Sequence, residues 1–449
     1  MEGVMTNDPE DKSAIVPVAQ QAEAVAAHSV WRTAKPHVWT ERMLTALVTG
    51  VKGGKWFRLI DKVYDERNLT AAFRQVEKNG GAAGVDHVSV REFAAQCPEN
   101  IWQLADSLRA RDYDPSAIRR KYIPKPGTTE ERPLGIPTVR DRTVQTSLLN
   151  VIEPIFEHGF AEHSYGFRPK RGCRDALGRV DQLIAAGYVY VVDADLKAYF
   201  DTIPHDQLMK RIETKISDGR VLELIQAFLT AGIMDGLQEW IPTQGAPQGA
   251  VLSPLLSNIY LDPLDHLMAG RGFEMVRYAD DFVILCRSPE AAAEALQTVQ
   301  DWVTVAGLTL HPTKTRIVDS RSESFAFLGY EFLGPKRFPR KKSIQRLRDA
   351  IRRKTRRLNG ASLQDIIADC NRTLRGWYGY FKENQRLSLF KSLDGWIRRR
   401  LRTILRRRSG RRGLSKGRDH QIWPNDFFAD LGLFCLLPPR VSVVQSSRR

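Results

Sequence analysis

The spacing of apolar positions along the chain predicts a mixed α/β body followed by a helical C-terminal third. Between residues 39 and 79 the apolar positions recur at helical spacing, with an interruption at Gly53 and Gly54. Continuous apolar runs, "YVYVV" (188–192) and "FEMVRYADDFVILC" (273–286), are typical of buried strands. "YIPKPGTTEERPLGIPT" (122–138) indicates two short strands around a turn, and helical spacing dominates after residue 335.

Composition places the chain among folded globular proteins, with 42% hydrophobic and 9% aromatic residues. No run of about 18 uncharged apolar residues occurs, so we expect no membrane span. Residues 1–38 begin with acidic positions and lack the apolar segment of a secretory signal, so we expect a loosely ordered tail. The five cysteines are far apart and include no C-x-x-C pair, which argues against a zinc site or a disulfide framework and for a reducing compartment.

The charge of the chain is concentrated in one segment. Residues 336–412 contain 26 Lys and Arg against 5 Asp and Glu, a net charge of +21. Because the whole chain carries +16, the remaining residues carry a net charge of −5. A solvated helix face would mix both signs, so the one-signed runs "RRKTRRL" and "WIRRRLRTILRRRSGRR" favour a polyanionic partner, most plausibly nucleic acid.

Acidic residues lie at the ends of the predicted strands. Asp193 and Asp195 follow "YVYVV" and share one face of that strand, and Asp280 and Asp281 sit between two apolar runs. Ionised carboxylates in such positions require a cation nearby. If the strand ends lie together, at least three carboxylates converge and would hold divalent metal ions. Two Mg²⁺ ions held by carboxylates are a common device for phosphoryl transfer.

Several motifs resemble those of group II intron-encoded reverse transcriptase/maturases. "YADD" (278–281) resembles the reverse transcriptase signature, and "DLKAYFD" (195–201) resembles the first catalytic motif. The chain matches further motifs of this family in the family's order, from about residue 40 to 435: "RPLGIPTVRDRTVQ", "SYGFRPKRG", "QGAPQGAVLSPLLSNIYLDPLD", "GLTLHPTKT", "FAFLGYEF" and "NRTLRGWYGYF". The resemblance implies a right-hand polymerase, with α/β (α+β) fingers and palm, an antiparallel palm sheet and an all-helical basic thumb.

The resemblance also implies roles for individual residues. It makes Asp195, Asp280 and Asp281 the catalytic carboxylates and Mg²⁺ ligands, whereas Asp193 lies outside the matched pattern and is expected to be structural. A primer 3′-hydroxyl would attack the α-phosphate of a deoxynucleoside triphosphate (dNTP), and pyrophosphate would leave. The expected nucleotide contacts are Lys125 and Arg132 on the triphosphate, Phe200 under the sugar, Gln248 along the nucleotide, and Lys314 assisting pyrophosphate departure.

The basic segment is expected to be a thumb that grips the parent intron RNA. Phe390, Leu393, Ile397, Leu401 and Ile404 recur at helical spacing and should face a core, which leaves arginines for the other face. The aromatic Trp377 and Trp396 are expected to pack in the helical bundle. The predicted RNA contacts are Arg352, Arg353, Lys354, Arg356, Arg357, Arg375, Arg398, Arg399 and Arg400.

We expect five segments: a flexible tail (1–38), a helical extension of the fingers (39–115), fingers and palm (116–335), thumb/maturase domain (336–412), and a short C-terminal module (413–449) that is a candidate for DNA contact. The family often carries a zinc-bearing endonuclease domain, which we expect to be absent because the last segment offers only Cys435 and His420. The resemblance implies template RNA, primer DNA and target DNA as partners and a bacterial-type cytoplasmic location.

Two other functions remain open from the sequence. One is an RNA-binding splicing maturase without polymerase activity, against which the intact Asp195, Asp280 and Asp281 speak. The other is a reverse transcriptase recruited to phage defence, which the maturase-like region through Arg408 disfavours. The sequence leaves the oligomeric state undetermined, and a homodimer is compatible with it.

Overall fold

The computed structural model describes residues 34–51, 53–124 and 131–437. Most of the predicted tail therefore lies outside the described residues. Its last positions, 34–38, include Ala34 and Val38, which are only 7% and 3% exposed. Trp39 follows, and its indole Nε1 donates a 3.0 Å hydrogen bond to the carbonyl oxygen of Asn150. The end of the segment predicted as a tail thus packs onto the folded body.

The described residues contain both helices and strands up to residue 339, after which only helices follow. The strands are β1 (Ile118–Pro124), β2 (Glu131–Ile136), β3 (Tyr190–Asp195), β4 (Ile233–Asp235), β5 (Gln238–Trp240), β6 (Glu274–Tyr278), β7 (Asp281–Cys286), β8 (Arg316–Asp319), β9 (Phe325–Phe327), β10 (Tyr330–Leu333) and β11 (Lys336–Pro339). The helices up to this point are α1 (Glu41–Thr49), α2 (Ile60–Val63), α3 (Glu66–Asn79), α4 (Val90–Ala95), α5 (Cys97–Ala110), α6 (Val139–Glu157), α7 (Cys173–Ala185), α8 (Tyr199–Thr202), α9 (His205–Glu213), α10 (Gly219–Leu229), α11 (Ser253–Gly270) and α12 (Pro289–Val305). The helical region comprises α13 (Lys341–Lys354), α14 (Leu363–Phe381), α15 (Leu387–Arg408), α16 (Gly417–Ile422) and α17 (Asn425–Asp430).

The N-terminal helices form because their apolar positions share one face. In α3, Leu69, Phe73 and Val76 follow helical spacing and are buried. The helix begins at Asp65, whose side chain accepts a hydrogen bond from the amide of Arg67. Helix α3 packs along α6, and both contribute to the main hydrophobic core.

A four-stranded sheet in the order β2-β1-β4-β5 forms the fingers. β1 and β2 are the antiparallel strands predicted from "YIPKPGTTEERPLGIPT", and the turn between them, with Lys125, lies outside the described residues. The hairpin of β4 and β5 adds to this sheet, with β4 parallel to β1. This hairpin is not predicted from the sequence, although Asp235-Gly236 is a turn signal and Gly236 has a φ of 63°.

The palm is an antiparallel sheet in the order β6-β7-β3-β8. Its central strands are apolar on both faces because both faces are covered. Val191 and Val283 pack against α7, whereas Val192 and Ile284 face the main core. The continuous apolar runs of the sequence therefore correspond to the two strands that carry Asp195 and Asp281.

The helical thumb has its own core, formed by α13, α14 and α15. The five positions predicted to face it are all buried, with exposures from 0% to 2%: Phe390, Leu393, Ile397, Leu401 and Ile404. Trp377 and Trp396 pack against the same core. The segment after residue 412 also packs there, since Phe428 and Leu436 are fully buried.

Two further observations concern the whole described part of the chain. None of the helices within residues 34–51, 53–124 and 131–437 is long and apolar enough to cross a membrane. All five cysteines are free thiols.

Candidate active site

The palm sheet brings the three predicted catalytic carboxylates together. β3 and β7 run antiparallel in a register that places Asp195 directly opposite Asp281. Asp280 lies in the two-residue turn between β6 and β7, because Tyr278 pairs with Asp281. Two sequence segments about 85 residues apart thus meet at one sheet end, in the arrangement that the "YADD" and "DLK" motifs imply.

Burial and neighbouring carboxylates make the ionised form of Asp280 and of Asp281 unfavourable. Burial, and then the carboxylates of Asp280, Asp193 and Asp195, raise the pKa of Asp281 to about 7. Burial also raises the pKa of Asp280, with a contribution from Asp195 and opposition from Arg132 and Arg277. An added cation would therefore stabilise the ionised form of both carboxylates.

Two basic residues at the edge of the sheet contact the acidic cluster. Lys314 Nζ lies 2.5 Å from Asp195 Oδ2, with the lysine side chain 60% exposed. Arg316 lies 3.8 Å from Asp193, whose pKa is raised to about 6 by burial although Arg316 opposes this. Asp193 is thus paired with a residue of the neighbouring strand, and the structural role expected for it stays a prediction. Lys314 contacts Asp195, a predicted catalytic carboxylate, and its own predicted nucleotide contact stays a prediction.

A buried arginine, Arg277, is hydrogen-bonded to the turn between β6 and β7. Arg277 is 0% exposed, and its guanidinium donates to both oxygens of Asp265, at 2.8 and 2.5 Å. Its Nη1 also donates to Asn258 Oδ1 and to the carbonyl oxygen of Ala279, each at 2.9 Å. Arg277 is not among the residues predicted from the sequence, although a cation inside the apolar run "EMVRY" is a signal for a buried ion pair.

The carboxylates fit divalent metal ions by their chemistry. No group of three His, Cys, Asp or Glu side chains within the described ranges is arranged as a metal-ligand set in this structure. The donors at this sheet end are nevertheless carboxylate oxygens, which Mg²⁺ prefers. Burial, and then neighbouring carboxylates, raise the pKa of Asp280 and of Asp281, and a bound divalent ion would favour their ionised form.

Three of the residues predicted to contact the nucleotide, Arg132, Phe200 and Gln248, lie on adjoining segments of the fingers and palm. Arg132 Nε donates a 2.5 Å hydrogen bond to Gln248 Oε1. The Phe200 ring is 6% exposed, and its carbonyl oxygen accepts from the amide of Ala246 at 2.7 Å. Gly249 has a φ of 107°, and a Cβ there would lie 2.4 Å from the carbonyl oxygen of Gly135. The chain segments carrying Arg132, Phe200 and Gln248 are thus packed together, whereas Lys125 lies outside the described residues.

All but one of the thumb residues predicted to bind RNA fall into two groups. One group already has partners within the protein. Arg352 pairs with Asp349 at 2.6 Å, Lys354 with Asp369 at 2.7 Å, and Arg400 donates to Thr355 Oγ1 at 2.6 Å.

Two members of this first group contact the C-terminal segment. Arg375 lies over the Phe434 ring at 5.6 Å, and an Arg398 nitrogen lies 3.9 Å from Cys435 Sγ. The second group, Arg353, Arg356 and Arg357, lines a cleft of about 640 Å³ together with Arg407. The remaining predicted residue, Arg399, is exposed.

Polar contacts also fix the C-terminal segment onto α15. Arg402 is 2% exposed, and its Nε donates a 2.7 Å hydrogen bond to the carbonyl oxygen of Trp423. The Asp394 carboxylate accepts from the amides of Leu436 and Leu437, each at 3.0 Å. Neither residue is predicted from the sequence, because Arg402 lies in a run of arginines and no local pattern pairs Asp394 with distant backbone amides.

The architecture is that of a right-hand polymerase. The carboxylates lie at the end of an antiparallel palm sheet, a fingers sheet lies beside them, and a basic helical thumb follows in the chain. Two family models match the chain. One is described as reverse transcriptase (RNA-dependent DNA polymerase) and covers residues 123–332. The other is described as the group II intron maturase-specific domain and covers residues 344–423, past the thumb boundary predicted at 412.

Among curated proteins, Protein YkfC of Escherichia coli (strain K12) is 34% identical over 317 residues, which are 62% of this chain and 83% of YkfC. The group II intron-encoded protein LtrA of Lactococcus lactis subsp. cremoris is 41% identical over 167 residues, 37% of this chain and 28% of LtrA. The chain thus spans most of YkfC but only 28% of LtrA. A chain of a solved "Partial Cas6-RT-Cas1--Cas2 complex" is 25% identical with a TM-score of 0.36, covering 55% of this chain and 42% of that chain, which is too low for a structural conclusion.

The chain belongs to the group II intron-encoded reverse transcriptase/maturase family. Its reverse transcriptase domain makes it an RNA-directed DNA polymerase.

Proposed function

We propose that this protein extends the 3′-hydroxyl of a DNA primer with dNTPs along an RNA template, and that its thumb binds the parent group II intron RNA to assist splicing and intron mobility. The observation that carries the first part is the register of the palm sheet, which sets Asp195 opposite Asp281 with Asp280 beside them. Carboxylates that converge in this way repel one another and so destabilise the fold. Their convergence is therefore better explained by a role in nucleotidyl transfer than by a role in stability.

Asp195, Asp280 and Asp281 would hold the metal ions of this reaction. Two bound Mg²⁺ ions would lower the pKa of the attacking hydroxyl and neutralise the charge on the leaving pyrophosphate. Arg277 would hold the turn that carries Asp280, through its hydrogen bond to Ala279. Lys314, now on Asp195, is close enough to the carboxylates to balance their charge before the ions bind.

The nucleotide would lie between the fingers sheet and the palm. Arg132 would reach the triphosphate from β2, because its guanidinium can donate to phosphate oxygens as it now donates to Gln248. Lys125 is proposed to act beside it. Phe200 would lie under the sugar, where a 2′-hydroxyl would meet its ring, and Gln248 would lie along the nucleotide.

The thumb would bind RNA through guanidinium groups that lack acidic partners. Arg353, Arg356, Arg357 and Arg407 line one cleft, and within the described ranges none of them forms a salt bridge with a carboxylate. Mutual repulsion of these cations is relieved when phosphate groups enter the cleft. Leu358, 83% exposed at the same cleft, offers an apolar contact for a base or a ribose. Template RNA, primer DNA and target DNA are the other partners we propose, with a cytoplasmic location.

Primer extension tests the polymerase. The purified chain is given a primed RNA template, dNTPs and MgCl₂, beside the variants Asp280→Asn and Asp281→Asn, which keep the side-chain shape and remove the charge. Asp319→Asn, on the neighbouring strand β8, is the matched control. We expect extension by the wild type and the control and none by the two active-site variants.

The same preparation distinguishes the alternatives. If the wild type fails to extend primers but binds the intron RNA tightly and in a salt-sensitive manner, the protein is a maturase without polymerase activity. If it extends primers without binding that RNA, the maturase part of the proposal fails, and a role outside splicing such as phage defence gains support.

A further inference from the structure

The segment 164–167, Ser-Tyr-Gly-Phe, lies directly beside the turn that carries Asp280. Ser164 pairs with Arg277 in a parallel bridge. The amide of Tyr165 donates to the carbonyl oxygen of Arg277 at 2.9 Å, and the amide of Arg277 donates to His163 at 3.0 Å. Asn258 Nδ2 donates to the carbonyl oxygen of Gly166 at 2.8 Å. The segment is therefore an added edge of the palm sheet, fixed by the same residues that support the active-site turn.

Gly166 brings this segment against the turn itself. A Cβ at residue 166 would lie 2.1 Å from the backbone nitrogen of Ala279, a distance at which backbone atoms overlap. The backbone at Gly166 is thus held directly beside Ala279. Phe167 is the next residue after this close approach.

Phe167 has features that core packing does not explain. Its ring is 46% exposed although it is large and apolar. Its φ is 59°, in the left-handed region, which is uncommon for an aromatic residue and is retained when surrounding contacts enforce it. Its ring centroid lies 6.3 Å from that of Phe200, with an angle of 74° between the rings. On another side Phe200 contacts Tyr199 at 5.5 Å.

We infer that Phe167 is a positioning residue for Phe200 and that the two rings form one wall against the sugar of the incoming nucleotide. This inference rests on the proposed polymerase function, and in particular on Phe200 as the residue that excludes a 2′-hydroxyl. Exclusion of a ribonucleotide depends on the position of the Phe200 ring, because a ring that can move away from the sugar leaves room for the 2′-hydroxyl. The edge-to-face contact with Phe167 limits that retreat.

The test measures kcat/KM for a dNTP and for the matching ribonucleotide with four proteins: wild type, Phe167→Ala, Phe167→Tyr and Phe57→Ala. Phe57 is a control because its ring is 67% exposed and lies outside the site. Phe167→Ala is expected to lower the preference for the dNTP by about 3- to 10-fold, the range given by the strength of one aromatic pair. Phe167→Tyr keeps the ring and should keep the preference, as should Phe57→Ala.

Different outcomes contradict the role of Phe167 and the proposed polymerase function. A wild type that extends primers and prefers dNTPs, with Phe167→Ala showing an unchanged preference, overturns the role of Phe167 alone. A uniform fall in kcat for both nucleotides also overturns it, since that indicates a structural defect. A wild type that incorporates no dNTP overturns the proposed function together with the inference.

A double variant, Phe167→Ala with Phe200→Ala, tests whether the two rings act as one wall. If Phe167 acts through Phe200, removing it should change the preference less once Phe200 is absent. Full additivity of the two changes would contradict the inference.

Discussion

Arg277 Nη1 donates a 2.9 Å hydrogen bond to the carbonyl oxygen of Ala279, in the turn between β6 and β7. Ala279 has a φ of 60°, a left-handed conformation that an alanine adopts only under constraint. Arg277 supplies that constraint because Asp265 and Asn258 fix its guanidinium group from helix α11. The position of Asp280 thus depends on a buried cation that does not itself reach solvent.

Replacing Arg277 should destabilise the whole palm. Arg277→Met leaves Asp265 buried without its partner, and loss of one member of a buried ion pair reduces the free energy of unfolding by about 3–5 kcal/mol. Urea denaturation measures this. The control is Arg321→Met, whose salt bridge with Asp319 is exposed, so little change is expected. Equal effects of the two substitutions would contradict the role assigned to Arg277.

Gly166→Ala adds only one methyl group but should disrupt the active site. The added methyl group would overlap the backbone of Ala279, so either the segment 164–167 or the "YADD" turn must move. We expect lower stability and loss of primer extension. Gly178→Ala in helix α7 is the matched control, because a Cβ there meets nothing within 4 Å and alanine favours the helix by roughly 1 kcal/mol. Activity retained by Gly166→Ala would show that the close approach is dispensable.

The sequence predicts the palm well because its strands are long apolar runs that end in acids. β3, β6 and β7 lie where "YVYVVDAD" and "FEMVRYADDFVILC" indicate, and the family motifs order the segments around them. The β4–β5 hairpin escapes prediction because each strand has only three residues. Such short strands show no reliable alternation and depend on the neighbouring sheet.

Side-chain contacts between distant segments could not be predicted from the sequence. Arg277 and Asp265 are 12 positions apart, in a strand and a helix, and nothing in their local pattern couples them. The basic segment shows the same limit. Arg356 and Arg400 look alike in a run of arginines, yet Arg356 lines an open cleft and Arg400 donates to the carbonyl oxygen of Thr355 at 3.0 Å. Only the packing of α13 against α15 separates these roles.

Glu153 should make the protein less stable as the pH rises. Burial, and then Glu157, raise the pKa of Glu153 to about 7 from the ordinary value of 4.5. Between these values the unfolded chain releases a proton that the folded chain retains, so stability falls as the pH rises through this interval. Glu153→Gln should therefore raise Tm at pH 8 and leave it nearly unchanged at pH 4.5. The exposed Glu213→Gln serves as control. A gain in Tm that is the same at both pH values would contradict this explanation.

Arg356 and Arg357 should contribute to RNA binding through phosphate contacts. Each neutralised phosphate changes the slope of log K against log salt concentration by about 0.7–0.9. The double variant Arg356→Ala, Arg357→Ala should therefore weaken intron RNA binding and reduce that slope by about 1.5, measured by filter binding at several salt concentrations. Arg372→Ala is the matched control, since Arg372 is 79% exposed on α14 and is paired with Asp369. Because its charge is already balanced, its removal should change the slope much less. The same slope change per removed charge in both variants would mean that RNA senses the overall charge of the thumb and not the cleft.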